Sequence, residues 1–173
     1  MALITRNARK AEEWSILMRP QAIRVSQILP DSNSPDELLE LGFDLVCREQ
    51  SSLVVPGSEQ IAVLEHLRTV DHLCVIECWH ADRGRATFAA RRSGYIDATQ
   101  TLEAGGWWDA RFCDAITGLS YQEQAISRGT KVSARSAAVE QLVDEFLPKP
   151  RRGAYLVADQ QVVAELTGQR DAL

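Results

Sequence analysis

The stretch that decides the fold is Leu73-Cys-Val-Ile-Glu-Cys-Trp-His-Ala-Asp-Arg-Gly-Arg-Ala-Thr-Phe-Ala-Ala-Arg-Arg-Ser-Gly-Tyr-Ile-Asp-Ala-Thr99. Apolar and β-branched residues cluster on either side of Asp82-Arg83-Gly84, a turn in which glycine can take a left-handed conformation. Leu73 to Ala81 reads as one strand and Arg85 to Arg92 as its antiparallel partner. Ser93-Gly94 then turns the chain into a third strand, Tyr95 to Thr99. The expected class is α+β: an antiparallel or mixed sheet including a three-stranded meander over about 73–99, packed against several helices.

Working outward, Ala8, Ala11, Trp14 and Met18 recur at helical spacing within 6–18, with Ile4 leading into the stripe. Pro20 ends the helix. Ile23 to Leu29 reads as a strand. Ser34, Pro35 and Glu37 form a capping box with proline at the first helical position, and Gly42 closes that short helix. Phe43, Leu45 and Cys47 alternate with Asp44 and Arg48 as a half-buried strand does. Glu49 to Ser52 is expected to turn the chain, and Ser58 to cap a helix running to Val70. Further on, Trp108, Phe112, Ile116 and Leu119 share a helical stripe, and Ser120 with Glu123 offers a second capping box. The strongest helical pattern runs from Ser133 to Leu147, with Val139, Leu142, Val143 and Phe146 inward and Glu140, Asp144 and Glu145 outward. Ala154 to Ala158 suggests a last strand.

At 173 residues, 45% of them hydrophobic, the chain is long enough for one domain with its own core, and 1–173 is read as a single globular domain. Its net charge of −5 is spread evenly, so no basic half or tail marks a nucleic-acid or membrane partner. Cys47, Cys74, Cys78 and Cys113 are too dispersed for a disulfide scaffold and read as free thiols of a cytoplasmic protein. The N-terminus lacks a signal-peptide pattern, and no apolar run is long enough to span a bilayer.

On a strand His72, Cys74, Ile76, Cys78, His80 and Asp82 share one face, which raises a metal site or a Cys78–His80 nucleophile and base. Four residues in a line cannot close a tetrahedral shell, and buried cysteine is expected core. No resident metal and no cofactor are therefore assigned, and no catalytic residue. His80 and Asp82 lie at the hairpin tip and remain site candidates. Arg83, Arg85, Arg91 and Arg92 follow without an acid among them, as an anion-binding surface would, or as a charged sheet edge. The acids between Asp31 and Glu49 are available to pair with them. Trp107, after paired glycines, can line a pocket or anchor a partner.

Residues 119–139 resemble a DNA-binding helix-turn-helix, with Ala125 and Gly129 at the small-residue and turn positions and Arg128, Lys131 and Arg135 facing a nucleic acid. The positions that hold such helices together are polar here: Gln124, Arg128, Thr130 and Arg135. Three readings follow. The first is a non-enzymatic binding or regulatory module that recognises a protein partner or an anionic ligand through His80, Asp82, Arg83, Arg85, Arg91 and Trp107, with homodimerisation open. The second is a small enzyme or metal protein centred on Cys78, His80 and Asp82. The third, ranked last, is nucleic-acid binding through the arginine hairpin or 119–139.

Overall fold

The computed structural model describes residues 1–54, 67–97, 111–128 and 132–147. Six strands and four α-helices follow one another along them: β1 (Ala2–Ile4), α1 (Ala8–Met18), β2 (Ser26–Ile28), α2 (Pro35–Glu40), β3 (Leu45–Val54), β4 (Leu67–His80), β5 (Gly84–Asp97), β6 (Cys113–Asp114), α3 (Tyr121–Arg128) and α4 (Ala134–Gln141). They build one mixed sheet in the order β2-β1-β3-β4-β5-β6, parallel between β2, β1 and β3 and antiparallel beyond. The α+β expectation holds, and 73–80 and 84–97 are extended on either side of the turn, with alternate side chains on opposite faces.

The sheet has two faces with separate coverings. Leu3, Leu45, Cys47, Cys74, Ile76, Cys78 and Phe88 form a core with Trp14 and Met18 of α1 and with Ala138, Val139 and Leu142. Ala2, Ile4 and Val46 point the other way, against Leu38 of α2. Each helix starts where a side chain serves an otherwise orphaned backbone N–H. Asn7 Oδ1 accepts from the Arg9 and Lys10 amides, Ser34 and Glu37 complete the expected capping box, and Ser133 caps α4. The last helical pattern is α-helical only to Gln141. It widens into one π-turn over Leu142–Phe146, which still buries Leu142 and Phe146.

Several boundaries differ from the sequence reading. Ile4 belongs to a three-residue strand, too short to show a period, and is not part of the first helix. Glu49 to Ser52 does not turn: β3 runs through it because β4 pairs with it over the whole length, from Leu45 opposite His80 to Val54 opposite Asp71. Residues 67–70 are the start of β4, not the end of a helix. The third meander strand is also absent as a separate piece, since β5 continues straight through Ser93 and Gly94; β3 is the other antiparallel neighbour of β4. Phe112, Ile116 and Leu119 are not helical. Asp114 takes the amides of Ile116 and Thr117 on its carboxylate, which folds a turn after β6 and leaves Ile116 exposed. The expected helix capped by Ser58, Trp107, Trp108 and the strand at 154–158 lie outside the described residues. No helix among the described residues is long and apolar enough to cross a membrane.

Candidate functional site

The parallel part of the sheet has a switch point. β1 lies between β2 and β3, and the two connections pass over opposite faces, α1 on one and α2 on the other. In sheets wound this way a crevice opens beyond the carboxyl ends of the strands on either side of the switch. Here the β1–β3 ladder ends with Ile4 opposite Arg48, so Thr5 and Glu49 are the next residues out. Thr5 Oγ1 accepts from the Asn7 amide and shapes the tight turn into α1.

A buried charge cluster occupies that position. Glu49 continues the inward parity of Leu45 and Cys47, so its carboxylate enters the protein with its side chain fully covered. Lys10, Glu13 and Trp14 stand at i, i+3 and i+4 on one side of α1 and converge on it. Trp14 Nε1 donates to Glu49 Oε2 at 2.6 Å. Lys10 Nζ lies 3.4 Å from Glu49 Oε1 and donates to the Glu49 carbonyl at 3.3 Å. Arg135, in the first turn of α4, donates through Nε to Glu49 Oε2 at 2.8 Å and binds Glu13 with its other arm. Ser51 donates to Glu49 Oε1. Burial would raise the Glu49 pKa, but the Arg135 charge, its hydrogen bond, Lys10 and Ser51 outweigh that and bring it down to about 2. Burial likewise opposes the Arg135 charge, yet Glu49 and then Glu13 hold its pKa above the ordinary value.

Two cations and two acids thus balance. The cluster reaches the surface along one rim, where the Lys10, Glu13 and Arg135 side chains are 16%, 19% and 10% exposed. Exposed Arg6 and Arg9 lie on the same turn. Cys74, opposite Ser51 on β4, is a buried neighbour whose thiol is pushed up to about 12 by burial and by the Glu49 charge, which leaves it inert as a nucleophile. Among the described residues no three His, Cys, Asp or Glu side chains gather as a metal shell. Glu13 and Glu49 are the acids that could face a cation here, and each now holds Arg135.

Of the residues singled out from sequence, the described ones lie along the β4–β5 hairpin, where His80 and Arg83 both meet Phe146. His80 and Asp82 sit at the β4–β5 turn, where the Asp82 amide donates to His80 Nδ1 and the His80 ring meets Phe146 edge-on. Arg83 donates to the Phe146 carbonyl. Arg85 binds Glu77 and covers Trp79, and Arg91 binds Asp71, six residues further along β5 on the same face. Arg92 forks onto Asp114 on the other face. Arg85, Arg91 and Arg92 therefore pair with acids of their own sheet region and not with the stretch from Asp31 to Glu49. Cys78 pairs with the Cys47 sulfur in the core, while the His80 ring meets Phe146 and takes the Asp82 amide on Nδ1. In the segment resembling a helix-turn-helix, Arg135 points inward to Glu49 and Gln124 is fully buried. Its amide donates to Thr117 Oγ1 and its carbonyl accepts from the Val132 amide. At these two positions the polar groups turn into the protein, away from the helix surface that a nucleic acid would meet.

Sheet order, switch point and charge cluster together mark a candidate site on the mixed sheet of this α+β fold. Among solved structures the chain is similar to the Staphylococcus aureus Ham1 protein, with 17% identity, TM-score 0.50, and coverage of 82% of this chain and 94% of that one. It also matches a HAM1 protein from Coxiella burnetii (15% identity, TM-score 0.49, 83% and 95% covered). A third match is a Mycobacterium abscessus protein described as a nucleoside-triphosphatase / dITP/XTP pyrophosphatase (14%, 0.39, 97% and 98%). No protein-family profile and no curated protein matches the sequence. The first likeness establishes the fold. It corrects the sequence reading of a non-enzymatic binding or regulatory module for a protein partner or anionic ligand, because the fold is shared with the Staphylococcus aureus Ham1 protein and Arg85 and Arg91, which that reading used, are bound within the sheet.

The sequence reading missed Lys10, Glu13 and Glu49, kept Trp14 only as part of a helical stripe, and turned Arg135 outward toward a nucleic acid. Two signals were present. An acid stands on the inward parity of a strand (Leu45, Cys47, Glu49), and an arginine on the inward stripe of a helix (Arg135, Val139, Leu142, Phe146). A buried charge needs a buried partner, so each implies the other.

Proposed function

We propose that the chain is an enzyme that hydrolyses a nucleoside triphosphate at the cluster of Lys10, Glu13, Glu49 and Arg135. The observation that carries this reading is the position of the cluster, just past the carboxyl end of β1 and of its pairing with β3, at the switch point of the sheet. The substrate class corresponds to the words used for the mycobacterial protein. Hydrolysis joins a water oxygen to phosphorus and breaks a bridging P–O bond, so negative charge grows on the departing phosphate or pyrophosphate. Lys10 and Arg135 supply the cations for that charge, in a partly dry setting where fixed donors act more strongly than in water. Glu49 and Trp14 act as positioning residues that keep both cations aimed at the rim. A cytoplasmic location, where such nucleotides are at hand, goes with this reading.

The test is product analysis of the purified chain with magnesium and a panel containing dITP, XTP and ATP. Release of phosphate or pyrophosphate is expected from at least one of them. Lys10→Ala should lower that turnover by about 100-fold or more. A panel on which the unaltered chain shows no turnover overturns the reading, and full activity in Lys10→Ala removes the cluster from it.

A further inference from the structure

Cys47 and Cys78 form an arrangement that the nucleotide reading does not use. They are direct partners in the β3–β4 ladder. Both are fully buried, and their sulfurs lie 3.1 Å apart. Directly opposed residues of an antiparallel pair keep their Cα atoms about 4.5–5.5 Å apart, inside the roughly 4.4–6.8 Å that a disulfide bridges. Joining these sulfurs therefore asks for no shift of register. The other two thiols have no such partner: Cys74 is opposed by Ser51 and Ala90, and Cys113 by Tyr95 and Ser120.

We propose that Cys47 and Cys78 are a dithiol–disulfide couple that closes across β3 and β4 in the presence of a low-molecular-weight disulfide. In the first step the thiolate of one cysteine attacks a sulfur of the small disulfide. Its S–S bond breaks, one small thiol leaves, and a mixed disulfide remains. The second cysteine's thiolate then attacks the protein sulfur of that mixed disulfide and expels the other small thiol. Two protein thiols are oxidised by two electrons, and one small disulfide is reduced to two thiols. Burial, reinforced by the contact with Cys78, holds the Cys47 thiol protonated in the closed sheet. Exchange accordingly proceeds when the two strands part, or before they have closed. The product ties β3 to β4 one inward position away from Glu49, on the strand that carries it. This inference stands on the two strands alone and does not depend on the reaction catalysed.

The experiment refolds the reduced, full-length chain from urea in a buffer of reduced and oxidised glutathione. Free thiols are then trapped by alkylation and the chain is digested without reductant. The expected result is an intact chain lighter by two hydrogens before alkylation, with a cross-linked peptide pair containing Cys47 and Cys78 that a dithiol reductant separates. Four alkylated cysteines in the refolded chain overturn the proposal, and so does a population in which Cys74 or Cys113 supplies the bridge.

Discussion

Glu49 shows how much one misplaced polarity can report. A carboxylate with no exposed side-chain surface is tolerated because Arg135, Lys10, Trp14 and Ser51 all serve it. Removing one partner leaves a charge that water cannot reach, so Arg135→Ala should lower stability by about 3–5 kcal/mol in urea unfolding. Replacing Glu49 by Leu together with Arg135 by Met should recover most of that loss while turnover stays absent, which separates the structural from the chemical role of the pair. Acid gives a second test. The folded pKa of about 2 lies below the ordinary 4.5, so ionised Glu49 stabilises the fold in full above pH 4.5, and this contribution fades as pH falls toward 2. Its size is about 3 kcal/mol. Glu49→Gln should therefore be less stable than the unaltered chain at pH 6, and the gap should narrow steadily when urea midpoints are compared down to pH 3. Of this site the sequence displayed only parity. His80 and the arginines of the hairpin attracted attention because their types are dense along the chain, whereas Glu49 and Arg135 stand 86 positions apart and meet only through the tertiary fold.

The strands and helices were legible where a period had room to repeat and hidden where a contact from elsewhere set the conformation. The capping box at Ser34, the glycine turn at Gly84 and the inward stripe of α4 are local patterns, and each is found where it was expected. Gly94 is the opposite case. In the sequence Ser93-Gly94 looks like a turn, yet it lies mid-strand, because β6 approaches so closely that only a hydrogen fits. A Cβ there would stand 2.3 Å from the Cys113 carbonyl oxygen and 2.6 Å from Phe112 Cζ. Both obstacles belong to one segment, and one of them is backbone, so relief means moving β6. Gly94→Ala should cost about 1–3 kcal/mol. It should also speed amide exchange at Tyr95 and Asp114, whose strands pair there, while α1 and β1 remain protected. Unchanged exchange at those amides would show that β6 can give way without leaving the sheet.

The sheet joins two styles of winding, and that union was the least legible feature. The antiparallel portion announces itself through alternation, but the parallel β2-β1-β3 portion is built from strands of three residues beside the first part of β3, and three residues carry no readable period. β3 belongs to both portions: its first half is parallel to β1 and its whole length is antiparallel to β4. A covalent tie between β3 and β4 would therefore connect the part of the chain that carries Lys10 and Glu13 to the long hairpin. Cys47 and Cys78 are 31 positions apart, so a bond between them would close a loop that the unfolded chain otherwise explores freely. The entropy removed from that unfolded state corresponds to about 3–4 kcal/mol of added stability, provided the native strands keep their register. Urea unfolding of the bridged and reduced forms, compared without reductant in the first, should show the bridged form unfolding at the higher midpoint. A midpoint that stays level or falls would mean that the bond is made only by pulling β3 and β4 out of the pairing that places Glu49 under Arg135.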